Sequence, residues 1–122
     1  YTGTSMCGGS GLAMLRQLSP TQPTGVLGSF AGVSTGAPCS FKFDYKVCTV
    51  ASGNVTGAPT PWGNILVQIG STATGPWTNI GVISNEVQSG TCITRTFNFT
   101  PAAGPVFFQF STSYTNGTNW VN

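Results

Sequence analysis

The sequence predicts an all-β protein, a jelly-roll-like β-sandwich of two antiparallel sheets. Several short runs alternate apolar with polar residues, as half-buried strands do. Clusters of Gly, Pro, Asn and Ser separate these runs at intervals of about 8 to 15 residues, the spacing of turns in a sandwich or barrel. The chain has 122 residues, of which 39% are hydrophobic. We therefore expect a single domain, residues 1–122, around one core.

The clearest strand is the sequence CSFKFDYKVCTV at residues 39–50. Its three aromatic residues alternate with four polar ones, which are Ser40, Lys42, Asp44 and Lys46. This pattern puts one apolar face on a core and one polar face in water.

Four later runs also predict strands. In the run 91–100, Ile93, Arg95, Phe97 and Phe99 share one face and polar residues occupy the other. The predicted later strands are 64–70, 77–84, 91–100 and 105–114.

The N-terminal part is less regular. The leucine spacing in GSGLAMLRQLS, residues 9–19, is that of a short helix, but its glycines and its length favour a strand. The run TGVLGSFAGV, residues 24–33, is expected to form an irregular strand.

The chain is poor in charge. Charged residues make up 5% of it, against about 25% in ordinary soluble domains. Thr, Ser, Gly and Asn take their place, which is more usual in secreted or cell-surface proteins than in the cytosol. We expect an extracellular protein whose signal, if it had one, has been removed.

The positive charges are scattered. Arg16, Lys42, Lys46 and Arg95 form no basic run, so the electrostatic footprint of a nucleic-acid-binding protein is missing. No apolar stretch approaches the roughly 18 residues that a membrane-spanning helix needs. We expect neither a nucleic-acid partner nor a membrane span.

Four cysteines favour disulfides over a metal site. Zinc sites use close cysteine pairs and often histidine, and this chain has no close pair and no histidine. Four cysteines allow three connectivities, and we prefer Cys7 with Cys39 and Cys48 with Cys92. The alternative is that all four are buried free thiols.

Catalytic residues are scarce. Without histidine the chain lacks the commonest general base, and its two carboxylates are Asp44 and Glu86. A glycosidase would need such a pair, but Asp44 lies between Lys42 and Lys46 on a polar strand face, where a solvated charge is expected. Calcium would need more carboxylates. We expect no catalytic residue, no metal and no cofactor.

Aromatic residues are the remaining candidates for binding. Trp62 in PTPWGN, and Tyr114 and Trp120 close to NGTN, have amides and hydroxyls near them and could contact a glycan. The alternative for each tryptophan is packing at the edge of the core. The N-x-[ST] sequons at Asn54, Asn98 and Asn116 are candidate glycosylation sites.

One resemblance adds to these expectations. In order, FKFDYKV, NILVQIGSTATGPWTNIG and CITRTFNFTPAAGPVFFQFSTSYTNGTNW resemble the MAM-like jelly-roll modules of bacterial cell-surface proteins. Such modules are common in adhesins of Bacteroidetes, including those exported by the type 9 secretion system. The resemblance spans residues 5–122 and implies that Trp77 is a packing residue whose ring lies over the sheet end. It also implies a returning last strand, which would follow Asn122.

These observations favour a non-enzymatic extracellular adhesion or surface-structure module, part of a longer secreted or surface protein, with a cell-surface or glycan ligand. The alternatives are a pilus-like filament subunit joined by β-strand donation and a carbohydrate-binding module of a secreted enzyme. If the returning strand is missing, an outside strand should pair beside the N-terminal strand around Leu12 to Leu15.

Overall fold

The structure is a computed structural model that describes residues 7, 24–28, 31–46, 48–51, 54–57, 63–84 and 92–114. In these ranges every regular element is a β-strand and every strand pair is antiparallel, so the predicted all-β fold is confirmed. The strands are β1 (Thr24–Leu27), β2 (Ala31–Ser34), β3 (Cys39–Tyr45), β4 (Cys48–Ala51), β5 (Asn54–Gly57), β6 (Gly63–Gly70), β7 (Thr78–Ser84), β8 (Ile93–Phe99) and β9 (Gly104–Tyr114).

The larger sheet, sheet A, is built around β9. Strands β6 and β7 follow on one side of β9, and β1 and β2 both pair with its other side. Strand β1 pairs with the second half of β9, from Leu27 opposite Phe110, and β2 with the first half, from Ala31 opposite Phe107. The run predicted as one irregular strand at residues 24–33 is therefore two short strands.

The second sheet, sheet B, consists of β3 and β8 in the described part of the chain. Seven residue pairs join them, from Cys39 opposite Phe99 to Tyr45 opposite Ile93. The alternation predicted for both runs is confirmed, because their apolar residues and Arg95 are partly or fully buried while Lys42, Asp44 and the intervening polar residues are exposed.

Aromatic side chains join the two sheets face to face. The ring of Phe41 in β3 stacks on that of Phe108 in β9 with centroids 4.7 Å apart. Phe43 meets Phe110 edge to face at 4.9 Å, and Phe99 meets Phe108 in the same way at 5.8 Å. Such offset and edge-to-face pairs are the favourable geometries for aromatic rings. The architecture is thus a β-sandwich, as predicted.

The buried centre of the sandwich lies where β6 and β7 face sheet B. Ile83 and Val67 have exposures of 0% and 1%. Tyr45 and Ile65 complete this centre, and Phe43, Ile93, Phe97 and Phe110 pack against it. Burial of side chains of this size contributes about 1.5 to 3 kcal/mol each to the stability of the fold.

The strand predicted at residues 39–50 is interrupted. Sheet B ends at Tyr45, and a new strand begins at Cys48 that turns back on β5 in a separate hairpin. The sequence analysis did not predict β5. The sequence carries a signal of this break, because apolar residues occupy odd positions up to Val47 and even positions at Cys48 and Val50.

The cysteine pairing differs from the one that we preferred. Cys7 is bonded to Cys92, 85 residues further along the chain, with their Cα atoms 5.4 Å apart. Cys39 is an exposed free thiol at the start of β3. The preferred pairs Cys7–Cys39 and Cys48–Cys92 are therefore wrong, and so is the expectation of a disulfide at Cys39. Cys48 lies in β4, whose side chains are outside the described part.

The preferred pairing failed for a topological reason. Cys39 starts β3 at the end of sheet B where β8 finishes, opposite Phe99, whereas Cys92 directly precedes the start of β8 at the other end. Cys7, which is bonded to Cys92, therefore lies at the opposite end of sheet B from Cys39.

Among the residues that the structure describes, no helix is long and apolar enough to cross a membrane.

Candidate binding face on sheet A

The outer face of sheet A combines amide, apolar and hydroxyl side chains. Side chains alternate across a strand, and because Val67 and Val106 point into the sandwich, their neighbours point outwards. We call this surface the neutral face. It is defined by Leu66 and Gln68 of β6, Phe107, Gln109 and Ser111 of β9, Asn79 and Val82 of β7, and Val26 of β1.

Three amides form a ladder across the middle of the neutral face. Nε2 of Gln109 donates a hydrogen bond of 2.9 Å to Oε1 of Gln68, and Nε2 of Gln68 donates one of 2.8 Å to Oδ1 of Asn79. The ladder crosses β9, β6 and β7 in one line, since Gln68 pairs in register with both other residues. It holds the three side chains in fixed orientations.

A β-bulge places Asn79 in this ladder. Between β6 and β7 the register shifts from Val67 opposite Gly81 to Gln68 opposite Asn79, so Ile80 is an extra residue. In a regular strand Asn79 would share the inward side of Gly81. The bulge shifts the alternation of inward and outward side chains by one residue, so the amide of Asn79 faces outwards. Bulges often redirect a side chain in this way.

Trp77 lies at the end of the neutral face, on the loop that joins β6 to β7. Gly70 is on the outward side of β6, and a Cβ there would come within 3.1 Å of Cε3 of Trp77. At Gly75, a Cβ would approach Cδ1 and Nε1 of the same indole to 2.8 and 2.9 Å. The two glycines thus let the ring pack closely on the loop, and the ring remains partly exposed.

The loop beneath Trp77 is held by local hydrogen bonds. The hydroxyl of Thr72 donates to the carbonyl oxygen of Gly75 at 2.5 Å, and the amide of Gly75 donates to the carbonyl of Thr72 at 3.3 Å. Gly75 has a φ of 87° and precedes a cis proline. A positive φ of this kind favours glycine, so the loop needs Gly75 for its backbone as well as for the indole.

Apolar side chains adjoin the ladder on the same face. Val82 of β7 pairs with Leu66, and Val26 of β1 pairs with Ser111, which makes a row parallel to the ladder. Val26 is 59% exposed and Val82 is 53% exposed. The neutral face therefore offers fixed amides between a tryptophan at one end and exposed valines beside them.

Among the described strands, charged residues occur in sheet B. No residue of the five strands of sheet A is charged, whereas Lys42, Asp44 and Arg95 belong to β3 and β8. Asp44 accepts a hydrogen bond from the hydroxyl of Thr94, its neighbour in the sheet. The two outer faces of the sandwich thus differ. Sheet B presents Lys42, Asp44 and threonines, whereas the strands of sheet A present no charged residue. Arg95 lies on the partly buried, inner side of β8.

The structure describes part of the candidate site predicted from the sequence. Asn98 is exposed on the outer side of β8, so its sequon stays a candidate for glycosylation. Tyr114 ends β9 and Asn54 begins β5, but their side chains are outside the described part. Trp62, Trp120, Asn116 and Glu86, as well as Leu12 to Leu15, also lie outside it. The glycan contacts predicted for Trp62, Trp120 and Tyr114 remain predictions.

Trp77 agrees with the packing expected of it, because its ring lies on the glycines of its own loop at the end of the sheet. It does not belong to the buried core cluster. Across the described ranges, no three His, Cys, Asp or Glu residues come together in a way that could hold a metal ion.

The sequence analysis missed the amide ladder. Gln68 and Gln109 stood at outward positions of predicted strands, which was a usable signal. Their strands are 41 residues apart at these positions, and nothing in the pattern fixes which residues pair at that distance. The bulge that brings in Asn79 is also invisible to alternation, since it breaks the pattern by a single residue.

Comparison of the chain with protein-family models, with curated proteins and with solved structures found no match.

Proposed function

We propose that this chain is a non-enzymatic binding module of an extracellular or cell-surface protein, and that it binds its ligand with the neutral face of sheet A. The observation that carries this proposal is the ladder of Gln109, Gln68 and Asn79. Cross-strand pairs of this kind also stabilise a sheet, and here they order three amides beside the exposed Val82 and the partly exposed Trp77. Fixed polar groups next to partly exposed apolar groups are the usual composition of a binding surface.

The low charge of the chain supports an extracellular adhesion role. A content of 5% charged residues and a disulfide between Cys7 and Cys92 are both more usual in proteins that work outside the cell than in cytosolic ones. The resemblance of its strand motifs to MAM-like modules of bacterial adhesins points in the same direction. Neighbouring domains of a longer surface protein would then present the module to its ligand.

The chemistry of the described residues supports a role in binding without catalysis. Asp44 is exposed, lies on the same strand face as Lys42 and accepts a hydrogen bond from Thr94. A general acid or base works best in a partly desolvated site that adjusts its protonation, and an exposed carboxylate next to a lysine lacks that environment.

The test uses one array that carries cell-surface glycans and extracellular matrix proteins. The wild-type chain is compared with Gln68→Lys, which puts a charge in the centre of the neutral face. The matched control is Ser40→Lys, because Ser40 is equally a polar strand residue but lies exposed on the outer side of sheet B. We expect binding to at least one ligand, lost in Gln68→Lys and kept in Ser40→Lys.

Two results would contradict the proposal. One is an absence of binding to every ligand on the array by the folded wild-type chain. The other is binding that Gln68→Lys leaves intact, which would move the binding surface away from sheet A. Chemical turnover of a bound ligand, seen as new products by mass spectrometry, would contradict the non-enzymatic part alone.

A further inference from the structure

The neutral face has the chemistry of a site for an uncharged glycan. We propose that its ligand is a neutral oligosaccharide or polysaccharide, bound across the strands along the amide ladder with Trp77 at the end of the face. The inference rests on the proposed function and adds the class of ligand and the residues that select it.

The amides of the ladder keep unused hydrogen-bonding groups that a ligand can reach. A primary amide has two hydrogens on nitrogen and two lone pairs on oxygen. The two ladder bonds use one hydrogen of Gln109 and one of Gln68, and one lone pair each of Gln68 and Asn79. Each amide therefore keeps both donor and acceptor capacity. A ligand that suits such a surface must itself both donate and accept at closely spaced positions, as sugar hydroxyls do.

The spacing of the ladder is similar to the length of a sugar ring. Its three amides stand on adjacent strands, and adjacent strands are about 4.8 Å apart. A sugar ring in a chain occupies a similar length, so successive amides meet the hydroxyls of successive or adjoining rings. Because the ladder bonds already fix the side chains, little conformational entropy is lost when the ligand binds.

The lack of charged residues in sheet A favours an uncharged ligand. The strands of sheet A contain no charged residue, and the charges of Lys42, Asp44 and Arg95 lie in sheet B. An anionic glycan or a nucleic acid would find no cation along the ladder to replace its counterions or its water. A neutral glycan needs no such cation, so the face favours neutral glycans over anionic polymers.

The aromatic end of the face supplies apolar contact. The axial C–H groups of a pyranose are apolar and pack on aromatic rings, and the indole of Trp77 is partly exposed where Gly70 meets Phe107 in register. The close packing of the ring on Gly70 and Gly75 holds it in place. Trp77 is thus a binding platform as well as the packing residue of its loop.

The experiment measures binding to a panel of neutral oligosaccharides, including cellohexaose, xylohexaose and mannohexaose, and to two anionic polymers, heparin and polygalacturonate. Titration calorimetry then compares four variants with the wild type. Gln68→Leu and Gln109→Leu remove ladder amides at similar size, Trp77→Ala removes the platform, and Thr96→Val is the control on the outer side of sheet B. Thermal melting of each variant confirms that it is folded.

We expect the wild type to bind at least one neutral oligosaccharide and neither anionic polymer. Each of Gln68→Leu, Gln109→Leu and Trp77→Ala should weaken that binding by about tenfold or more, the size expected for a central contact, while Thr96→Val leaves it unchanged. If Trp77→Ala fails to fold, the two glutamine variants carry the test.

Other outcomes overturn the inference in distinguishable ways. Binding only to proteins or anionic polymers, abolished by Gln68→Leu, would leave the neutral face as a binding surface and refute the ligand class. Neutral glycan binding that all three variants leave intact would refute the site. Concentration-dependent dimerisation lost in Gln68→Leu, without glycan binding, would show that a second copy covers the face. No binding to this panel or to the array would refute both proposals.

Discussion

Gly81 of β7 lies directly beneath the ring of Phe97 in β8, so close that a Cβ on Gly81 would meet Cε1 of Phe97 at 2.2 Å. This contact brings the two sheets together at the edge of the core. Phe97 in turn packs against the buried cluster that contains Ile83. The glycine is therefore required by the approach of another side chain and not by its own backbone angles.

Gly81→Ala should destabilise the fold. The added methyl group must displace the Phe97 ring, and overpacking of this kind costs about 1 to 3 kcal/mol. The control is Gly32→Ala, because a Cβ on Gly32 meets nothing within 4 Å, and we expect that variant to be neutral or slightly stabilising. Urea unfolding measures both. Equal stability of the two variants would contradict the packing of Phe97 on Gly81.

Ile83 should be among the most sensitive positions in the described fold. Its side chain is fully buried, so Ile83→Ala should lower the free energy of unfolding by about 2 to 5 kcal/mol. Val33→Ala provides the comparison, because Val33 is 87% exposed and a change there should stay within about 0.5 kcal/mol. The same urea titration applies, and a small effect at Ile83 would mean that the two sheets do not pack there.

Of the three cysteines whose side chains are described, Cys7 and Cys92 should be bonded and Cys39 should be a free thiol. Alkylation without reductant should label Cys39, and peptide mapping should recover Cys7 linked to Cys92. Because the bond joins residues 85 apart, Cys7→Ser should lower stability by about 2 to 5 kcal/mol, whereas Cys39→Ser should change it little. A Cys7–Cys39 peptide would instead restore the pairing first preferred from the sequence.

Asp44 should prove dispensable. Asp44→Asn removes an exposed charge but leaves an oxygen that can accept from Thr94, so stability should change by about 0.5 kcal/mol or less. Ligand binding and the intactness of bound glycans should be unchanged, as they should be in Glu86→Gln. A hydrolytic activity of the wild type that either variant abolishes would establish an enzyme and contradict the account.

The sequence predicted those features of the fold that depend on local alternation. Phe41, Phe43 and Tyr45 point into the sandwich, and Lys42 and Asp44 point out of it, because a period of two determines the face on which each side chain lies. The bounds of β6, β7, β8 and β9 follow the predicted runs to within one or two residues, since Gly, Pro and Asn clusters end each of them.

What depends on distant pairing could not be predicted in this way. The partner of Cys7 and the line of Gln109, Gln68 and Asn79 both require the register between strands far apart in sequence. A shift of one residue would reverse the faces of a strand, and the bulge at Ile80 makes such a shift locally. Local patterns therefore point to isolated tryptophans and not to the ladder beside Trp77.

The most direct measurement is an NMR titration of the ¹⁵N-labelled chain with the array ligand that binds most tightly. Side-chain amide signals of Gln68, Gln109 and Asn79 and the indole signal of Trp77 report on the neutral face, and backbone signals of Lys42 and Thr96 report on the outer side of sheet B. The account predicts that the first set shifts with the ligand and the second does not. Shifts confined to sheet B, or to Trp62 and Trp120, would contradict it.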